Sequence, residues 1–131
     1  MKSRHIFLTL IGAQSLHSLE EYLFRLWETF PPAQLLTGLV SADPERGFIV
    51  INLSLVALGL CCYWWPVRRG WASAPLIAWL WIGLELVNGV GHPAWSVMQG
   101  GYTPGLITSL ILLPLALLLA ARLSTERAAA A

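Results

Sequence analysis

Six side chains of this sequence carry chemistry that its apolar surroundings do not need. His17, Glu20 and Glu21 fall close together in LHSLEEYL, and Glu85, Asn88 and His92 follow at offsets of three and seven in a later apolar stretch. At about 100° per residue, Gln14, His17, Glu20 and Glu21 share one helical face, and Glu85, Asn88 and His92 share another if that helix persists so far. Imidazole combined with carboxylate suits iron, zinc or manganese, and carboxylates and histidines on facing helices build the metal sites of four-helix bundles. The metal set expected here is His17, Glu21, Glu85 and His92. The doubled glutamate then supplies one ligand and one general base, so Glu20, Glu21, Glu85 and His17 form the catalytic candidates. Asn88, Gln14, Asn52 and Tyr102 are the neutral polar groups left to bind a substrate.

The elements that must position them are apolar. The chain has 131 residues, 56% hydrophobic and 11% charged, with seven tryptophans, whereas a soluble domain carries about 25% charged residues. Apolar stretches recur at residues 5–27, 47–66, 72–92 and 104–123, each near the ~20 residues that cross a ~30 Å hydrocarbon core. The expected fold is an all-α integral membrane four-helix bundle, one domain over residues 1–131. A cleaved leader at MKSRHIFLTLIGAQS fits less well, because the helical pattern continues through Glu20 and Glu21 to Trp27. Asp43-Pro44-Glu45 reads as a cap opening the second helix. Pro66 closes that helix, and Gly-x-Gly-His92-Pro93 ends the third. PPAQLLTGLV reads as a short amphipathic turn on the membrane surface.

Orientation follows from the basic residues. Lys2, Arg4, Arg68, Arg69, Arg122 and Arg127 share one side of such a bundle, against Arg25 and Arg46 on the other, so both termini are expected to be cytoplasmic. The chain is expected to be a multi-pass protein of the cell's inner (plasma) membrane. Trp64, Trp65 and Trp71 mark the inner interface, and Trp27 and Trp95 the outer one. Counting ~1.5 Å per residue places both polar clusters in one layer, from mid-membrane into the outer half. Asn52, Ser54, Thr108 and Ser109 enter it too. The inner halves are almost wholly apolar, giving a polar chamber closed below and open outward. Intramembrane carboxyls cost at least ~2.5–3.5 kcal/mol each and default to a functional role. Polar residues can also simply tie helices together, but three acids and two histidines exceed what that needs. Cys61 and Cys62 are adjacent, which disfavours an unstrained disulfide, and read as apolar filler. No basic run points to nucleic acid.

His17-Ser-Leu-Glu20-Glu21, Asn88-x-x-x-His92 and Tyr102-Thr-Pro104-Gly105-Leu-Ile-Thr-Ser resemble, in order, the motifs of the HXXEE domain family. That resemblance implies a small bacterial membrane protein and assigns no activity. His17-x-x-x-Glu21-Tyr22-x-Phe24 is also similar, over one helix, to the sterol-isomerase (emopamil-binding) superfamily. Three functions fit these residues. The first is a metal-dependent enzyme acting on a lipophilic small molecule, with iron, zinc or manganese bound and haem between His17 and His92 as a variant. The second is a metal-free acid–base isomerase or hydratase of a lipid or isoprenoid, with Trp79, Trp81 or Phe24 facing a carbocation. The third is a proton or metal-ion transporter or ligand-binding subunit, for which a homodimer would supply the pathway. The lipid bilayer is the expected partner throughout. A Ser41→Cys variant should be labelled from outside intact cells; absence of labelling would contradict the orientation.

Overall fold

The computed structural model describes residues 2–130, all helix and connecting turns. The helices are α1 (Ser3–Leu23), α2 (Leu26–Thr29), α3 (Pro31–Val40), α4 (Pro44–Cys62), α5 (Ala74–Gln99) and α6 (Leu106–Ala130), with a π-helical turn, Tyr63–Val67, extending α4. Three stretches are long and apolar enough to cross a membrane: Pro44–Val67, Ala74–Gln99 and Leu106–Ala129. α1 has 21 residues but a more polar composition, and its polar residues Gln14, His17, Ser18, Glu20 and Glu21 are buried. The outward faces carry Leu53, Leu58, Leu80, Val87 and Val97, all exposed, a surface suited to lipid rather than water.

The long helices form an arc in the order α4, α1, α6, α5. α5 packs along α6, α6 along α1, and α1 along α4, while α3 lies on α4. Little joins α4 to α5 except the π turn at their connected end. At that end Ile6, Phe7, Leu10 and Ile11 of α1 meet Trp81 and Ile82 of α5, and Leu112, Ala116 and Leu119 of α6, in one apolar cluster. The apolar half expected near the N-terminus of α1 corresponds to this cluster. A second cluster, Leu26, Trp27, Ala33 and Phe48 with Tyr22, Phe30 and Trp95 against it, covers the opposite end.

Several helix ends differ from their sequence expectation, each for a local reason. α1 stops at Leu23 rather than Trp27, because Arg25 takes a left-handed conformation (φ 55°) that starts α2. PPAQLLTGLV is a ten-residue helix, α3, with prolines in its first turn, where no intrahelical N–H is needed. The Asp43 cap forms as expected, its carboxylate accepting from Glu45 N (3.1 Å) and Arg46 N (3.3 Å). Pro66 does not end its helix but is absorbed by the wider π turn, and the stop falls at Gly70. α5 likewise continues through His92 and Pro93 to Gln99, ending where Gly100 turns left-handed (φ 70°). His92 therefore lies within the helix and not at its end.

Gly89 sets the spacing of α5 and α6. A Cβ there would lie 2.8 Å from Leu113 Cβ and 3.0 Å from Leu113 Cα. Gly89→Ala must separate the two helices and is expected to destabilise by about 1–3 kcal/mol. Gly91→Ala, where a Cβ meets nothing within 4 Å, should be neutral or slightly stabilising. Unfolding in detergent checks the pair; equal effects would contradict close α5–α6 packing.

Candidate metal centre

The buried face of α1 carries the first two groups. His17 is fully buried and sits one turn before Glu21, so their side chains stack, with Nε2 3.3 Å from Glu21 Oε1. From α5, His92 Nε2 reaches the same oxygen at 3.1 Å. The two imidazoles meet edge to face, ring centroids 4.7 Å apart. Their approach depends on Gly105, in a left-handed turn (φ 88°) before α6. A Cβ on Gly105 would fall 2.6 Å from His92 Cε1 and 2.9 Å from His17 Cε1. No other residue leaves room for both rings.

The outer nitrogen of each ring fixes its tautomer. His92 Nδ1 lies 2.8 Å from the Pro104 carbonyl oxygen, which only accepts, so Nδ1 carries the proton. His17 Nδ1 lies 2.8 Å from Thr108 Oγ1. The Thr108 hydroxyl donates its one proton to Glu20 Oε2 (2.5 Å), so it can only accept from His17. Both Nε2 atoms therefore present lone pairs to the Glu21 carboxylate. His17 Nε2 is buried and has no hydrogen-bond partner, an omission that folded proteins seldom tolerate.

Three acceptors that converge with no donor among them demand a cation or a proton. The donor atoms of His17, Glu21 and His92 all lie within 4.8 Å of one another, the set of His, Cys, Asp or Glu among the described residues able to hold an ion. Ligands at ~2.0 Å in tetrahedral geometry stand ~3.3 Å apart, close to the 3.1 and 3.3 Å separations found here. A histidine whose far N–H is held by a carbonyl or a carboxylate-backed hydroxyl is how metal-binding imidazoles are oriented. The residues present fit a divalent ion.

Glu20 points elsewhere, since adjacent helical positions diverge by about 100°. Its carboxylate caps the start of α6, accepting from Thr108 N (2.8 Å), Ile107 N (3.1 Å) and Thr108 Oγ1, and from Tyr102 Oη (2.7 Å). Four donors and no acceptor surround it, with the positive end of the α6 dipole behind them. Partial desolvation of its hydroxyl, then the hydrogen bond and charge of Glu20, raise the pKa of Tyr102 and keep it a donor. The two adjoining glutamates thus divide: Glu21 faces the histidines and Glu20 fixes the helix that holds them.

Glu85 is fully buried but stands outside the three-residue set. Asn88 Nδ2 donates to it at 3.4 Å. With its amide nitrogen turned toward Glu85, Gln14 donates to the two carboxyl oxygens at 2.8 and 3.1 Å. The structure thus joins Gln14, Asn88 and Glu85 into a network beside the centre. Asn52 accepts from Ser18 Oγ (2.6 Å) and donates to the Phe48 carbonyl (3.1 Å), and it lines the same cavity as Gln14, Glu21, Asn88 and His92. Ser54 is exposed on the outward face of α4, and Ser109 bonds its own turn through Leu106 O. Trp81 is packed in the apolar core beside Phe7, while Trp79 and Phe24 are exposed. The aromatic rings near His92 are instead Phe30 and Trp95, at 6.4 and 6.5 Å.

Residues 8–119 match the family model described as "Protein of unknown function with HXXEE motif". The chain belongs to the HXXEE family. No curated protein and no solved structure matches it. The family's motif is His17-Ser-Leu-Glu20-Glu21 here, and its spacing now has a physical meaning. The His and the second Glu, one turn apart, form the centre; the first Glu anchors the partner helix. Thr108, Gly105 and the Pro104 carbonyl were not among the candidates picked as site residues from the sequence, although Thr108 was placed in the polar layer. Residue type alone marks none of them as ligand-supporting.

Thr108→Val and Glu20→Gln should each weaken divalent-ion binding by about 10–100-fold, measured by competition with a chromophoric chelator. Unchanged affinity in both would contradict the orienting chain Glu20–Thr108–His17.

Proposed function

We propose that this HXXEE protein is a four-span membrane protein holding one divalent ion at His17, Glu21 and His92, and that it is a metal-dependent enzyme for a lipophilic substrate. The observation that carries this reading is the convergence of two Nε2 lone pairs on a buried carboxylate, with His17 Nε2 otherwise unpartnered. Zinc, iron and manganese all accept such a ligand set. When bound, the ion would act as a Lewis acid or lower the pKa of a bound water.

The remaining residues have distinct parts in this reading. Glu20, through Thr108, holds the His17 ring, and the Pro104 carbonyl holds His92. Glu21 supplies one negative charge to the dication, and the buried Glu85, held by Gln14 and Asn88, stands beside the centre without being a ligand. Asn88, Gln14 and Asn52 offer amide donors and acceptors to a substrate; Tyr102 serves Glu20 instead. The membrane arrangement has α1, α4, α5 and α6 crossing as a four-helix bundle with both termini inside. In support, 21 residues of α1 span ~32 Å at ~1.5 Å each, and its polar face is turned inward. The apolar cluster beneath the centre has no polar route to the inner end, which weighs against conduction through one chain.

The same atoms with a proton in place of the ion would make a His–Glu–His acid–base site, the second reading. Metal content separates the two. Purified protein is expected to hold about one divalent ion per chain. With free metal ~100-fold above its Kd, linkage predicts ~2.7 kcal/mol of stabilisation over chelator-treated protein. His17→Ala should abolish that difference. No stoichiometric metal, and no thermal shift on adding zinc, iron or manganese, would transfer the assignment to the acid–base reading.

A further inference from the structure

We propose that the substrate reaches the centre sideways from the bilayer, through the gap between α4 and α5, and that it is an oxygen-headed single-chain lipid. A fatty alcohol, aldehyde or acid fits this description; a phospholipid does not. The inference rests on the metal reading above and names the substrate class of that site.

A cavity of about 210 Å³ runs from the centre into the gap left where α4 and α5 do not pack together. Its inner end is polar: Glu21 and His92, with the amides of Gln14, Asn88 and Asn52. Its mouth is aliphatic: Leu36 of α3, Ile51 and Leu55 of α4, and Leu84 of α5. Leu36 and Leu84 are exposed, Ile51 and Leu55 half-buried. A smaller opening of about 110 Å³, lined by Phe30, Val87 and Trp95, also reaches Asn88 and His92. The Phe7–Trp81–Leu112 cluster fills the end below, and the Trp27–Phe48 cluster with Phe30 roofs the end above. An opening of this polarity, in the plane of the helices, accepts an amphiphile head first.

Volume and charge narrow the ligand. Pockets that enclose a whole drug-sized ligand measure about 300–1,000 Å³, so 210 Å³ holds a head and the first few carbons. The tail would remain among lipid chains. The same volume leaves no room for a phosphate with its glycerol and second chain, and the lining contains no Lys or Arg that would help the ion hold one. A neutral or singly charged oxygen head can instead meet the ion and the amides.

The test uses full-length protein in lipid nanodiscs, loaded with zinc. Decyl hydroxamate and acetohydroxamate present the same chelating head with and without a chain. Decyl hydroxamate is expected to bind at least about tenfold more tightly, less than the burial of two methylenes would give. Leu84→Trp or Ile51→Trp, which block the mouth, should remove that advantage while leaving acetohydroxamate affinity and zinc content within about twofold. Partition into the bilayer is the same for both variants, so it cannot mimic the loss. Persistence of the chain advantage in both blocked variants would overturn the portal. A second arm needs no metal: a fatty acid with a diazirine near its head should label residues around Leu84 and Ile51 in the wild type, and not in the blocked variants. If the protein binds no zinc yet labels as described, the metal reading fails and the portal stands. If it binds zinc but labels elsewhere, the reverse holds.

Discussion

The structure turns on one electrostatic constraint: two imidazole lone pairs and a carboxylate oxygen meet at a buried point with no donor among them. Lone pairs do not converge in an apolar interior without something positive between them. Each ring is nevertheless held in place from behind, by a carbonyl on one side and a hydroxyl on the other. The tautomers are fixed by groups that cannot act otherwise. What looks like a cost is therefore built in, and either a divalent ion or a proton resolves it.

The rest of the chain can be understood as support for that point. Glu20 ties α1 to the first turn of α6, and α6 carries Thr108 for one ring while the preceding turn gives Gly105 and the Pro104 carbonyl for the other. α5 must run straight past Pro93 for His92 to reach inward, and Gly89 lets it lie close on α6 while doing so. Beneath, large aliphatic and aromatic side chains exclude water, which strengthens every interaction above them. Only the α4–α5 side is left unpacked. A rigid three-helix seat with one open flank is what a membrane-embedded site needs if its ligand arrives dissolved in lipid.

Much of this was legible in the sequence because helical periodicity is regular. The 3.6-residue repeat put His17 and Glu21 on one face, and the apolar runs gave the long helices to within seven residues at every end. The errors have a common source. Local propensity makes Pro66 and Pro93 helix stops, but tertiary packing carries both helices through, one by widening into a π turn. The break at Arg25 was invisible, since nothing about arginine favours a left-handed backbone. At the site, residue type identified charged and imidazole groups but not their partners. That Glu20 serves a helix terminus rather than the histidines depends on where α6 begins, its partners Ile107 and Thr108 lying 87 and 88 residues further along the chain. Gly105 matters for the side chain it lacks, which no spacing rule detects.

X-ray absorption at the zinc edge of the zinc-loaded protein tests the central claim most directly. The account predicts a shell of nitrogen and oxygen at ~2.0–2.1 Å with scattering from two imidazole rings. A shell of oxygen alone would contradict it. So would sulfur at ~2.3 Å, which would move the metal to Cys61 and Cys62 at the other end of α4.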